Sequence, residues 1–220
     1  MNSSRVVFCD FDGTITTKDT FVTVLEKFAP ETAAQILPAI YRQEITLKTG
    51  IGKTLGAIPA CDYPAMIEFM TEQPVRPGLK EFIEFLNNAT IPFVIISGGL
   101  TGMVKAVLEH QGLLNSVTAI YAGEVDTTGD FLQPYSSISS DMEFVAKAII
   151  MNKYSAQEKI AIGDSVTDIN MSLAADVVFA RDRLQHYLDL ENKSYIQWND
   201  FFEIREYLEA KVSGKLIVTP

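Results

Sequence analysis

The chain has little of what several function classes require. Its 220 residues include two cysteines, Cys9 and Cys61, far apart and in no CxxC pair, which excludes a disulfide framework and a thiolate zinc site. No uninterrupted apolar stretch approaches the roughly 20 residues that cross a bilayer. Met-Asn-Ser-Ser-Arg runs directly into an apolar strand-like segment, without a secretory leader, so a soluble, cytoplasmic protein is expected. Basic residues are outnumbered, 18 against 28 acidic, for a net charge of −10. Nucleic acid and anionic membranes demand the opposite balance, and neither is expected as a partner. A small phosphorylated molecule stays compatible, because a metal ion and a few local donors can dominate the field inside a pocket. Internal repeats and low-complexity tracts are absent, and 47% hydrophobic residues suit one α/β domain with an insertion or two small domains. Nothing in the sequence chooses between monomer and homodimer.

What is present begins with Phe8-Cys9-Asp10-Phe11-Asp12-Gly13-Thr14-Ile15-Thr16. Two carboxylates stand two residues apart at the end of an apolar strand and before a glycine. A strand edge ending in an Asp-rich turn would also contain these residues. Burying two neighbouring carboxylates, however, costs several kcal/mol each unless they are paired or coordinate a metal. A divalent cation relieves that cost, and Mg²⁺ favours one or two such oxygens together with water and substrate phosphate.

The pattern along the chain is that of an α/β protein. Val6–Phe8 reads as a strand apolar on both faces, as in the middle of a parallel sheet. The next strand signal, Phe93–Ile96, comes about eighty residues later. Between them, residues 18–73 show helical periodicity (Phe21, Val24, Leu25, Phe28; Ala34, Ile36, Ile40; Met66, Phe69, Met70) and no strand. This predicts a helical domain over 18–73 inserted into a core of 1–17 and 74–220, with a hinge at Gln73-Pro74-Val75-Arg76-Pro77-Gly78. Further strands are predicted near 117–121, 159–162, 176–179 and, at an edge, 195–198, with a hairpin turn at 126–130. Helices are predicted near 79–88, 100–113 and 200–212, and another from a capping box at Ser140-Asp141-Met142-Glu143 to about Asn152. Alternation of this kind gives a doubly wound, mostly parallel sheet. Ligands in such sheets bind beyond the carboxyl ends of the strands, at the switch in strand order.

Two more strand ends carry chemistry. Phe93–Ile96 runs into Ser97-Gly98-Gly99 before a predicted helix, which is either an ordinary turn and cap or an anion site. Lys159–Ile162 runs into Gly163-Asp164-Ser165-Val166-Thr167-Asp168, where two carboxylates four residues apart can face one site.

Together with the Asp10–Asp12 run, these segments resemble, in order, the DxDGT, Ser/Thr and GDxxxD motifs of the haloacid dehalogenase (HAD) superfamily. Lys48–Lys53, Arg76-Pro77-Gly78, Phe179-Ala180-Arg181-Asp182 and Asp200–Arg205 are similar to its phosphoserine-phosphatase-like branch, and most of all to the methionine-salvage phosphatases within it. The resemblance implies a HAD-like core with a small type C1 helical cap and a Mg²⁺-dependent phosphomonoesterase. It makes 2-hydroxy-3-keto-5-methylthiopentenyl-1-phosphate the leading substrate, with phosphoserine or another small phosphomonoester as alternative. It implies Asp10 as nucleophile and Asp12 as general acid and base. Mg²⁺ would be held by Asp10, Asp12 through its carbonyl, Asp164 and Asp168. Ser97, Gly98, Gly99, Thr14, Arg76 and Lys53 would bind phosphate or substrate, with Lys18, Arg42, Lys48 and the glycines Gly50, Gly52 and Gly56 as further cap contacts.

One departure concerns the motif lysine, which the family places near the start of the helix preceding the fourth strand. With that helix opening at Ser140, the first candidate, Lys147, falls about two turns in. Lys147, Lys153 and Lys159 also read as exposed solubilising lysines. A catalytically silent scaffold protein is the second reading, and the displaced lysine is its support.

Overall fold

The computed structural model describes residues 3–42 and 44–214. Among them, strands β1 (Ser3–Cys9), β2 (Phe93–Leu100), β3 (Ala119–Asp126), β4 (Gln133–Tyr135), β5 (Ala156–Gly163), β6 (Val177–Ala180) and β7 (Ile196–Gln197) form one sheet. Its order is β4-β3-β2-β1-β5-β6-β7, parallel throughout except for the β3–β4 hairpin. The helices are α1 (Thr20–Phe28), α2 (Pro30–Tyr41), α3 (Leu47–Leu55), α4 (Tyr63–Thr71), α5 (Leu79–Asn88), α6 (Thr101–His110), α7 (Lys147–Asn152), α8 (Ile169–Leu173), α9 (Asp182–Leu190) and α10 (Phe201–Val212).

Strand order reverses at β1. The chain steps outward to β2 and β3 on one side, and from β5 to β6 and β7 on the other. Right-handed crossovers then put α5 and α6 on one face of the sheet and α8 and α9 on the other. α10 returns to the first face, where the rings of Phe82 and Phe201 stack at 5.3 Å. The central strands are covered on both sides, so Val7, Phe8, Cys9, Phe93–Ile96 and Ile160–Ile162 have no exposed surface. That burial explains their unbroken apolar runs.

Helices α1–α4 occupy the stretch between β1 and α5. Its two ends run antiparallel: Thr16 bridges Val75, Thr17 N–H donates to the Pro74 carbonyl at 3.0 Å, and Arg76 N–H donates to Ile15 at 2.8 Å. The far side is stitched to the β3–β4 hairpin through Ala60 N–H to Asp130 O and Leu132 N–H to Ile58 O, 2.9 Å each. α4 lies close on α6, where a Cβ at Gly102 would collide with Tyr63.

Local expectations needed correction in three places. The helix expected from Ser140 starts at Lys147. Ser140 does accept from Glu143 N–H at 2.9 Å, but this closes an isolated turn, since a short polar side chain satisfies a turn as readily as a helix start. Ser97-Gly98-Gly99 belongs to β2 itself, which continues to Leu100 with a register shift before α6 begins. Finally, α3 and α9 were not anticipated. Gly50 and Gly52 mask the periodicity of α3, although Thr46 caps it by accepting from Thr49 N–H.

Candidate active site

The carboxyl ends of β1, β2 and β5 meet at the switch in strand order. Asp10, 3% exposed, leaves β1 with its N–H donated to the Ile162 carbonyl. The chain then turns sharply at Gly13, where φ is +86° and a Cβ would stand inside the carboxylate of Asp164. Only glycine meets both conditions. The turn brings Asp12 round to face β2. Its Oδ1 accepts from Thr20 Oγ1 at 2.5 Å and from Phe21 N–H at 3.0 Å, and its Oδ2 accepts from Ser97 Oγ at 2.9 Å. Ser97 Oγ in turn accepts from Gly99 N–H at 2.9 Å.

Lys147 is the first residue of α7 and 1% exposed. Its ammonium donates to Asp10 Oδ1 at 2.5 Å and to Asp168 Oδ1 at 2.6 Å. The late helix start therefore removes the apparent displacement of the motif lysine: Lys147 stands where the resemblance requires it. The other oxygen of Asp168 accepts from the N–H groups of Asp164 and Ser165, 3.0 Å each, which fixes the loop carrying Asp164. Asp164 Oδ1 accepts from Thr14 Oγ1 at 3.0 Å.

Burial raises the pKa of Asp10, Asp12 and Asp164. Asp10 is pushed up by burial and by Asp168, with Lys147 pulling against them. Asp12 is raised by burial, against the hydrogen bonds from Thr20 and Ser97. Burial and the Asp168 charge push Asp164 up to about 7. Burial alone would discharge Lys147, but the carboxylates of Asp10 and Asp168 hold its pKa above the ordinary lysine value. One ammonium thus faces four carboxylates. Oxygens of Asp10, Asp164 and Asp168 lie within 4.8 Å of one another, a hard-oxygen, charge-deficient set that fits a divalent cation such as Mg²⁺.

Above this floor is a cavity of about 330 Å³. Asp10, Asp12, Asp164, Gly98 and Gly99 form its base. Its walls come from α1–α3 and are apolar: Phe21, Val22, Leu25, Leu37, Ile40, Tyr41, Leu47 and Ile51. Val166 and Thr167, and Asp182, Arg183 and Tyr187 at α9, close the remaining side, with Asp19 as the acidic residue of the insertion.

The structure gathers Asp10, Asp12, Ser97, Gly98, Gly99, Lys147, Asp164 and Asp168 into one site. It leaves three expected phosphate contacts outside. Arg76 is buried beneath the Asp12 turn and donates to the carbonyls of Gly13 (2.6 Å), Thr14 (2.9 Å), Thr16 and Asn199 (3.4 Å each), so its guanidinium serves the loop. Thr14 has no exposed surface and spends its hydroxyl on Asp164. Lys53 is exposed on α3, two residues past Ile51 and so on the far side of the helix from the cavity. Lys18, Arg42 and Lys48 do not line the cavity either: Arg42 pairs with Glu44, and Lys48 donates to Ser139 and Ser140. Gly50 lets α3 approach Ile40 of α2, and Gly56 ends α3 by donating its N–H to the Gly52 carbonyl at 3.0 Å, so both serve the helix itself. Arg183 and Thr20 were missed. Arg183 follows the end of β6 and thus met the strand-end criterion, whereas no sequence signal marks the Thr20 hydroxyl bond to Asp12.

The haloacid dehalogenase-like hydrolase family matches this chain over residues 7–172. The chain is 53% identical over 205 residues to the 2-hydroxy-3-keto-5-methylthiopentenyl-1-phosphate phosphatase of Microcystis aeruginosa, covering 93% of this chain and 98% of the relative. It is 34% identical over 218 residues to the phosphatase of the same name from Bacillus anthracis, covering 96% and 98%. Among solved structures, phosphoserine phosphatase in apo form superposes with a TM-score of 0.70 at 20% identity, over 94% of this chain and 99% of that one. A substrate-bound phosphoserine phosphatase gives 0.71 at 18% identity with the same coverage.

Proposed function

The chain belongs to the haloacid dehalogenase-like hydrolase family and is a phosphatase, and from that premise we propose that it hydrolyses 2-hydroxy-3-keto-5-methylthiopentenyl-1-phosphate. The observation that carries the choice is the apolar wall of Leu37, Ile40, Leu47 and Ile51 over a carboxylate floor. A methylthio tail is desolvated there at no polar cost. Against that wall the ammonium and carboxylate of phosphoserine would lose water without gaining partners. In this reading residues 18–73 are a cap, and the substrate lies between cap and core with its phosphate on the floor. The reading keeps a cytoplasmic location and no nucleic-acid partner, which the net charge of −10 supports.

The roles follow from what each group can do. Asp10 attacks phosphorus, the phosphorus–oxygen ester bond breaks, and an aspartyl-phosphate forms. Asp12, whose raised pKa favours the protonated form, gives its proton to the departing oxygen and then takes one from the water that hydrolyses the intermediate. Lys147 holds Asp10 in place and offsets its charge, and Ser97 holds Asp12. Asp10 and Asp164, with the Asp12 carbonyl and with Asp168 ordering the loop, are the residues that would hold Mg²⁺. When bound, the ion supplies charge neutralisation at the phosphoryl oxygens. Asp168 is a positioning residue, since its two oxygens hold Lys147 and the Asp164 loop.

The test is turnover of the methylthio ester, O-phosphoserine and phosphoethanolamine in parallel, with Mg²⁺ and with chelator, using folded, inactive Asp10→Asn as the blank. The methylthio ester is expected to lead in kcat/KM by at least about tenfold, the discrimination an apolar pocket supplies. Phosphoserine turned over equally well would overturn the substrate, and full activity in chelator would overturn the metal.

A further inference from the structure

The cavity holds a charged group that the chemistry above leaves unused. Arg183 is the sole basic side chain among the described residues that line it. Its backbone is set by its neighbours. Asp182 opens α9 at φ +47°, a left-handed conformation uncommon for an L residue. Leu184 N–H donates to the Asp164 carbonyl at 2.9 Å, and Arg181 N–H to Gly163 at 3.3 Å. Backbone of this kind persists where the surroundings over-determine it, and it gathers at ligand sites. From that turn the Arg183 guanidinium lies over the Tyr41 ring, 4.8 Å from its centroid. Tyr41 ends α2, so the contact joins the core to the insertion. Arg181, two residues earlier, is occupied differently, pairing with Asp182 at 2.7 Å and donating to the Asn199 carbonyl. The Arg183 guanidinium also donates to the Tyr41 hydroxyl, and the N–H donors not spent there can serve another acceptor.

Arg183 lines the same cavity as the floor carboxylates Asp10, Asp12 and Asp164, on the side that α9 closes, and the ring it rests on, Tyr41, belongs to the opposite wall of the insertion. With phosphate on the floor and the thioether on the apolar wall, the stretch between them is the hydroxyl- and keto-bearing pair of carbons beside the ester. We propose that Arg183, steadied by Tyr41, is a specificity residue that donates to the oxygens on those two carbons. The proposal rests on the substrate reading above only in that the proposed ester carries such oxygens.

The experiment separates the two. Wild type, Arg183→Met, Arg183→Lys and Tyr41→Ala are assayed with dihydroxyacetone phosphate, which has oxygens on both carbons beside the phosphoester carbon, and with n-propyl phosphate, which has none. Wild type should favour the oxygenated ester. Arg183→Met should lower that preference by about tenfold or more, the worth of charge-assisted hydrogen bonds, chiefly through KM. Arg183→Lys and Tyr41→Ala should lose part of it. An unchanged preference in Arg183→Met, an equal fall with both esters, or a wild type that shows no preference would overturn the proposal. The methylthio ester is run on wild type alongside. Its failure to turn over while Arg183 still governs the preference would sink the substrate and leave the specificity role standing. The converse pattern would do the reverse.

Discussion

Lys147 Nζ lies 2.5 Å from Asp10 Oδ1, and neither side chain is more than 4% exposed. An ion pair this deeply buried depends on both members, because removing one leaves an uncompensated charge, at about 3–5 kcal/mol. Lys147→Met should therefore lower the melting temperature of the metal-free protein and reduce kcat by about a hundredfold or more. Excess Mg²⁺ should restore much of the melting temperature and little of kcat, since the cation replaces charge but not the hydrogen bond that aims Asp10. Steady-state kinetics beside thermal unfolding checks this, and near-normal kcat would remove Lys147 from the reaction.

Asp12 is assigned the proton transfer, and that role depends on the leaving group. Asp12→Asn keeps acceptors and donors near Thr20 and Ser97 but holds no acidic proton. Turnover of an alkyl phosphate should fall by roughly 10²–10⁴-fold, the worth of a positioned general acid. p-Nitrophenyl phosphate, whose leaving group needs no proton, should lose far less in its first step. A burst of p-nitrophenol followed by slow turnover is expected, because the same residue also activates the hydrolytic water. Equal losses in the first step with both esters would contradict the assignment.

Much of this site was legible because it sits at strand ends. Val6–Phe8, Phe93–Ile96 and Lys159–Ile162 read as buried parallel strands, and each delivers its functional residue at the next position or two. Segment 18–73 was legible as helical for the same reason, since Phe21, Val24 and Leu25 keep helical spacing and are buried in α1. What could not be read depends on long-range partners. Arg76 precedes Pro77-Gly78 and resembles an anion ligand, but its acceptors, Gly13, Thr14, Thr16 and Asn199, lie about sixty residues before it and over a hundred after. The helix start at Lys147 was hidden by Ser140 and Glu143, which make the same local bond in a turn that they would make at a cap. Lys48 and Lys53 misled because charge alone does not say which side of a helix faces a cavity.

Arg76 makes a prediction opposite to that for a phosphate ligand. Its guanidinium gathers three carbonyls of the turn between Asp12 and the insertion and stands 5.2 Å from the Trp198 ring. Arg76→Met strands those buried acceptors, each at about 1–3 kcal/mol. A fall of several degrees in melting temperature is expected, with KM for a small ester within a few-fold of wild type at a temperature where the variant is folded. A large rise in KM without loss of stability would return Arg76 to the phosphate site.

Stability should depend on pH in an unusual direction when metal is removed. Asp164 titrates near 7 in the folded protein against an ordinary value of 3.8, and Asp10 and Asp12 are raised as well. A carboxyl whose folded pKa is raised binds its proton more tightly in the native state. Its contribution to stability is thus complete below about 4 and is lost as pH rises through about 7. In chelator, the melting temperature should fall between about pH 5.5 and pH 8, where most proteins hold steady or gain. Mg²⁺ reverses the sign because it binds the ionised carboxylates and competes with the proton. Its stabilising effect should be large at pH 8 and small at pH 5.5, and titration calorimetry should show proton release on binding near pH 7. A metal-free protein that becomes more stable from pH 5.5 to pH 8 would mean that Lys147 already neutralises the cluster. The four carboxylates would then need no cation to coexist.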